Sequence, residues 1–411
     1  MRVFLIGNTT VEHALLWRLS ASRRIAGLYC ASPGIAALGL AKLVGSGSLD
    51  PAVLRQACVA HGVDVALIRR MHPRAADISN ALEDAGIAVL PPHQKTLQLE
   101  TSRAFMLSFA ERYHLPAVPA QVYTYLPKLQ ETLSSRPGMR IMRKSMPTAE
   151  LDTIQTEDPE TQLSFAERVL EDDSLLVEDG AGGPEITVAA LSDGNSYRLF
   201  PPCARYDRVD GLAGGLVSAG ALAPVPWLDS KVYSRIDREV VQPWIAAMEI
   251  AGFAHYGIMS FTVRVTSDGP ALTSLRFGFS EPEAAVLMPL LNVDFGSLLE
   301  ALVDRKLKHV PFGLKSSSAV GIVLSNRTGE PVSFHAPSLA VPGFVARQSV
   351  VFAGTVQATA HELTVPDGRT VSAIGIGKDA LQARERALTL SRDLARSGLS
   401  FRDEVGADLF S

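Results

Sequence analysis

Cysteine is scarce in this chain. Its 411 residues hold three, Cys30, Cys58 and Cys203, far apart and without metal-ligand spacing. That excludes a disulfide scaffold and a cysteine-ligated zinc site, and it fits a reducing cytoplasm. The nine histidines form no His-x-x-x-His pair and have no neighbouring Cys/Asp cluster, so a histidine zinc site is not expected either. A charge excess is also missing. The net charge is −4 and the Lys and Arg residues are scattered rather than gathered in a stripe, which argues against a nucleic-acid partner. Charges break every apolar run before the roughly 18 residues that a membrane span needs. The opening "MRVFLIGNTTVEH" has no basic region followed by a cleavage site. The expectation is a cytoplasmic protein with no membrane and no nucleic-acid partner. No Gly-x-Ser-x-Gly elbow, Walker loop, internal repeat or low-complexity stretch is present.

What is present is material for a large core. Hydrophobic residues make up 47% and charged residues 20% of the chain, so long disorder is not expected. The length suggests two to four domains of about 100 to 200 residues each. "RVFLIG" has the character of a buried strand, and "TVEHALLWRLSAS" after it has helical spacing. The alternation continues through "IAGLYCAS", a helix from Pro51 to His61, "VDVALIR", the helix "AADISNALEDAG" and "IAVLPP". This pattern implies a small doubly wound parallel sheet over residues 1–100.

A second α/β unit spans 101–190, with strands at "MRIMRK" and "SLLVEDG" around the helix "PETQLSFAERVLE". Residues 191–312 continue the strand "EITVAALSDG" with "GIMSFTVRVT" and "ALTSLRFGF", and with one amphipathic helix "SRIDREVVQPWIAAMEIAG". Residues 313–411 are β-rich, with "SAVGIVLSN", "SVVFAGTVQA" and "TVSAIGIG" before a final helix "DALQARERALTLSRDLARSG".

In order along the chain, these segments resemble one family. "MRVFLIGNTTVEHALLWRLSAS" is similar to the opening of the glycinamide ribonucleotide synthetase (phosphoribosylamine–glycine ligase) family, G-N-G-G-R-E-H-A-L. "LETSRAFMLSFAERYHLPAVPAQVY" is similar to its L-E-G-S-K-A-F segment, and "LLVEDGAGGPEIT" to its I-E-E-F-L-x-G-E-E-x-S hinge. "VFAGTVQ", "DGRTVSAIGIG" and "FRDEVG" follow its C-terminal landmarks, so the resemblance covers essentially the whole chain. It implies an α/β protein with an N-terminal Rossmann-like parallel sheet, central ATP-grasp subdomains and a C-terminal β-rich domain. It also implies a ligase in which ATP phosphorylates a carboxylate that an amine then attacks, with magnesium on the phosphates.

Several positions depart from the family pattern. Its G-G-R turn is Thr9, Thr10 and Val11 here, while Asn8, Glu12 and His13 remain as candidate substrate residues. Arg103 stands at the first phosphate lysine, and Arg143 or Lys144 falls near the second. The glycine-rich flap is replaced by "SMPTAELDTIQTEDPE", whose acids repel a triphosphate. Glu178, Asp179 and Glu185 match acidic positions of the adenine hinge. In the substrate run "YDRVDGLAGGLVSAGALAPVP", Asp207 and Arg208 are retained. The family's E-F-N magnesium pair is replaced by Ser274 and Arg276. Magnesium requires hard oxygen ligands, so it is not expected at that place, although Arg276 could face a phosphate or carboxylate itself. The expectation is a degenerate family member with a vestigial ATP cleft, no catalytic residue and an unknown protein partner or small ligand. A divergent ATP-dependent carboxylate–amine ligase is the alternative.

Overall fold

The computed structural model describes the chain except residues 69–73, 91–95, 137–138, 145–152, 179–182, 210–215, 227, 254, 336–347, 355, 359–361, 369 and 408–411. Five parallel strands open it, in spatial order Lys42–Leu43, Gly27–Cys30, Arg2–Ile6, Val65–Ile68 and Ala88–Leu90. Their near-continuous apolar sequences suit strands covered on both faces. The strand order reverses at Arg2–Ile6, which leaves a crevice at the carboxyl ends of the first and fourth strands.

A four-stranded antiparallel sheet follows, ordered Ala120–Tyr123, Leu175–Glu178, Arg140–Arg143 and Thr153–Gln155. Helices Leu126–Ser135 and Pro159–Leu170 bury Leu129, Phe165 and Val169 against it. The largest sheet has nine strands. Gly269–Arg276, Tyr256–Thr266, Glu185–Asp193, Cys203–Val209 and Leu216–Ala223 continue into Ser318–Ser325, Thr370–Gly377 and Ser349–Ala353, with Tyr197–Leu199 beside Glu185–Asp193. The C-terminal region is β-rich as expected, but its three longer described strands extend the central sheet through pairs such as Ala221 with Gly321.

Three elements differ from expectation. The helix expected over residues 234–252 is a helix Ser230–Ile236, a π-helical turn Asp237–Val241 and a helix Gln242–Ile250. Pro243 has no N–H to give the preceding turn, and the wider turn absorbs that loss. The run expected as a substrate loop forms the antiparallel strands Cys203–Val209 and Leu216–Ala223. Glu281–Leu290 is a helix buried from Pro282 to Leu290, packed between the helix Thr10–Ser20 and the large sheet.

The turn after the first strand is held by the C-terminal region. His13 is fully buried, and its Nδ1 accepts the Ala353 N–H at 2.9 Å. The His13 ring meets Phe352 edge-on at 5.3 Å, and Trp17 meets the same ring at 5.6 Å. Gly354 lies so close that a Cβ on it would stand 2.9 Å from the Asn8 carbonyl oxygen. Replacing His13 with Leu removes the acceptor and leaves the Ala353 N–H buried without it. Stability should fall by about 1–3 kcal/mol in urea unfolding; an unchanged midpoint would show that this bond does not tie the two regions.

Candidate functional site

The chemistry-bearing side chains collect where the four-stranded sheet meets the nine-stranded one. Here a cleft of about 1020 Å³, open to solvent, is lined by Glu100, Arg103, Arg140, Met142, Glu178, Glu185, Arg205, Asp207, Ser274 and Arg276 among others. Strand alternation puts them there. Arg140 and Met142 are two apart on one strand, and Ser274 and Arg276 two apart on another. Arg143 faces the other way and pairs with Asp172 at 2.7 Å.

Glu178 ends its strand 1% exposed and forms a salt bridge with Arg103, itself 4% exposed. Arg264 stands 3.6 Å and Arg140 3.9 Å from the other Glu178 oxygen. Glu185, at the start of the neighbouring long strand, accepts a two-pronged pair of hydrogen bonds from Arg140 at 2.8 and 2.9 Å, and another from Arg264 at 2.8 Å. Such fork-on-carboxylate contacts are among the stronger hydrogen bonds in proteins. Three guanidiniums thus surround two carboxylates, and the five-residue cluster carries one net positive charge.

Burial works against the charge of Arg103 and pushes its pKa below the ordinary value, with Glu178 acting the other way. For Arg140 burial is likewise opposed, here outweighed by Glu185 and Glu178, so its pKa is raised. Burial also disfavours the Glu185 carboxylate, but Arg140 and Arg264 hold it below the usual range.

The other acids are engaged too. Glu100 accepts the Phe277 N–H at 3.0 Å, and Asp207 accepts from Arg205 at 3.3 Å. Of the candidates from sequence, Arg103, Glu178, Glu185, Asp207 and Arg276 meet in this cleft. Lys144 follows the Arg140 strand and gives its backbone N–H to Ser174 O at 2.9 Å; it is not among the described lining residues. Asp179 lies outside the described residues, as does the side chain of Arg208. Asn8, Glu12 and His13 stand apart from the cleft, at the first turn. Glu12 accepts the Thr9 N–H at 2.7 Å and the Thr9 hydroxyl at 2.6 Å.

Sequence reasoning missed Arg140, Arg205 and Arg264. The alternation of "MRIMRK" could have placed Arg140 on the inner face, but no motif marks "TVRVT" or "CARYD" as site strands.

Two family models match the chain. Residues 1–100 match "Phosphoribosylglycinamide synthetase, N domain", and residues 101–284 match "Phosphoribosylglycinamide synthetase, ATP-grasp (A) domain". The chain belongs to the phosphoribosylglycinamide synthetase family. The phosphoribosylamine–glycine ligase of Streptomyces coelicolor is 26% identical over 422 residues, covering 99% of both chains. That of Chlorobaculum tepidum is 24% identical over 423 residues, again covering 99% of both. Among solved structures, phosphoribosylamine–glycine ligase from Thermotoga maritima aligns with a TM-score of 0.73 at 17% identity over 98% of each chain. Carboxyaminoimidazole ribonucleotide synthase from Aspergillus clavatus, complexed with ATP, aligns with a TM-score of 0.63 at 12% identity, covering 96% of this chain and 98% of that one. These two alignments show a shared fold. The described residues contain no helix long and apolar enough to cross a membrane.

Two measurements test the charge cluster. Glu178→Gln leaves Arg103 buried beside a neutral partner and should destabilise the protein by about 3–5 kcal/mol, whereas Arg143→Ala, which breaks a pair with exposed Asp172, should cost about 1 kcal/mol or less. Equal losses in urea unfolding would contradict the cluster's role. Because the folded pKa of Glu185 is lowered from 4.5, its contribution is complete above that value and is lost as pH falls through the folded value. Glu185→Gln should therefore flatten the stability profile below about pH 4.5, and a profile as steep as that of the parent protein would contradict this.

Proposed function

We propose that this chain is a phosphoribosylglycinamide synthetase homologue whose ATP-grasp cleft no longer joins a carboxylate to an amine. The observation that carries this reading is that the cleft's inner carboxylates are already held by its own guanidiniums. Its two innermost carboxylates, Glu178 and Glu185, are engaged by Arg103, Arg140 and Arg264.

Ligation of this type needs magnesium to draw charge from the transferring phosphoryl group. The donors here do not fit that ion. Ser274 offers a hydroxyl, Arg276 brings a cation to the same wall, and Glu100 and Asp207 already accept hydrogen bonds. A dication would have to compete with guanidiniums for Glu178, Glu185 and Asp207, and with a backbone N–H for Glu100. On this reading the cleft carries out no phosphoryl transfer, and the protein binds a partner or small ligand.

A second reading rests on a different observation. The cleft is still open, and the chain covers 99% of relatives named phosphoribosylamine–glycine ligase. On that reading it is a divergent ATP-dependent ligase of purine biosynthesis, with guanidiniums holding the phosphates.

Calorimetric titration with ATP, with and without magnesium, separates the two. The proposed reading expects binding weaker than about 1 mM in both cases, corresponding to less than roughly 4 kcal/mol. Saturable heat that appears only with magnesium would overturn it, as would rescue of a purine auxotroph by this chain.

A further inference from the structure

The last carbonyls of a helix find no N–H within their own helix, and at the carboxyl end of the buried helix Glu281–Leu290 two cations serve them. A terminal nitrogen of Arg18, from the helix Thr10–Ser20, donates to Leu291 O and to Val293 O, each at 2.8 Å. Lys315 Nζ donates to Pro289 O at 2.8 Å. Backbone pairing puts the lysine there. The Asn292 N–H meets Gly313 O at 2.9 Å and the Lys315 N–H meets Leu290 O at 2.8 Å, with Leu291 and Leu314 paired antiparallel between them.

Cations are favourable at a helix C-terminus, but these two also repel each other. Lys315 is half-buried, and among the described residues its side-chain nitrogen has that one hydrogen bond and no ion pair. Asp294, which acts on Arg18, is committed to capping the next helix through the Gly296 N–H at 2.9 Å and the Ser297 N–H at 3.4 Å. Burial lowers the Lys315 pKa from its ordinary value, and Arg18 lowers it further. A lysine desolvated beside another cation is activated as a nucleophile. The site also suits the product of acylation. An amide carries no charge, so the repulsion from Arg18 ends, and it keeps one N–H for the Pro289 carbonyl.

We propose that Lys315 is a modification site, acylated at Nζ by an acyl phosphate. The neutral amine attacks the acyl carbon, a C–N bond forms as the carbon–oxygen bond to phosphate breaks, phosphate leaves with the bonding electrons, and one amine proton passes to solvent. Arg18 favours an anionic donor over a neutral one. The site is separate from the charged cleft, whose described lining includes neither Arg18 nor Lys315.

The probe for the test is acetyl phosphate, applied to the folded full chain at neutral pH, with acetylation of each lysine followed by mass spectrometry of its peptides. Accessibility alone would make exposed lysines react first, among them Lys128, Lys306 at 65% and Lys378 at 78% side-chain exposure. The proposal expects the reverse, with Lys315 acetylated at least about threefold faster than any of these. Neutral N-acetoxysuccinimide should prefer Lys315 less than acetyl phosphate does. Arg18→Gln, which keeps an N–H donor and removes the charge, should slow Lys315 to the rate of Lys378 while circular dichroism stays unchanged. Acetylation of Lys315 no faster than of the exposed lysines, equal preference with the two reagents, or an unchanged rate in folded Arg18→Gln would overturn the proposal. The two comparisons in the parent protein decide it whether or not that variant folds, and the ATP titration reads a different place.

Discussion

The Glu178 carboxylate is the group on which the centre of the molecule depends. It sits where the small antiparallel sheet meets the large one, 1% exposed, and an ion so placed is tolerated only with cations around it. Arg103 comes from the helix Arg103–Arg112, Arg140 from the small sheet and Arg264 from the large one. Holding one carboxylate therefore fixes three elements relative to each other. Glu185 repeats the arrangement on the large sheet, sharing Arg140 and Arg264. The site and the junction between the sheets are thus built from the same charges. A ligand that claimed any of these guanidiniums would have to replace part of what holds the two sheets together.

Much of the architecture was legible because periodicity reports burial. Segments such as "RVFLIG", "PETQLSFAERVLE" and "SAVGIVLSN" became the expected strand, helix and strand. The helix Glu281–Leu290 was not legible, because it is apolar on every side and contains Pro289. A helix with no polar face has no 3.6-residue rhythm to detect. The strand Leu216–Ala223 was hidden because its Gly- and Ala-rich sequence has the composition of a loop, and Cys203–Val209 because charged residues interrupt it.

The site was legible only in part. Ser274 and Arg276 stood out against a motif, and the cleft does bring them beside Arg103, Glu178 and Glu185. Arg140 and Arg264 carry no such mark, since their role comes from residues 45 and 79 positions away in the chain. The first turn shows the opposite case. Asn8, Glu12 and His13 keep the letters of a ligand-facing segment, yet His13 serves the packing of the C-terminal strand Ser349–Ala353. Residue identity alone cannot tell a hydrogen bond to a ligand from one to a distant backbone.

The nine-stranded sheet has a consequence for how the protein comes into being. Leu216–Ala223 has its partner Ser318–Ser325 almost a hundred residues later, and Thr370–Gly377 then joins from further still. While the chain is being synthesised, the Leu216–Ala223 edge stays bare until those strands emerge, and a bare edge invites pairing with other chains. A fragment cut before residue 318 would keep that sticky edge permanently. The last quarter of the chain is therefore an integral seam of the central body.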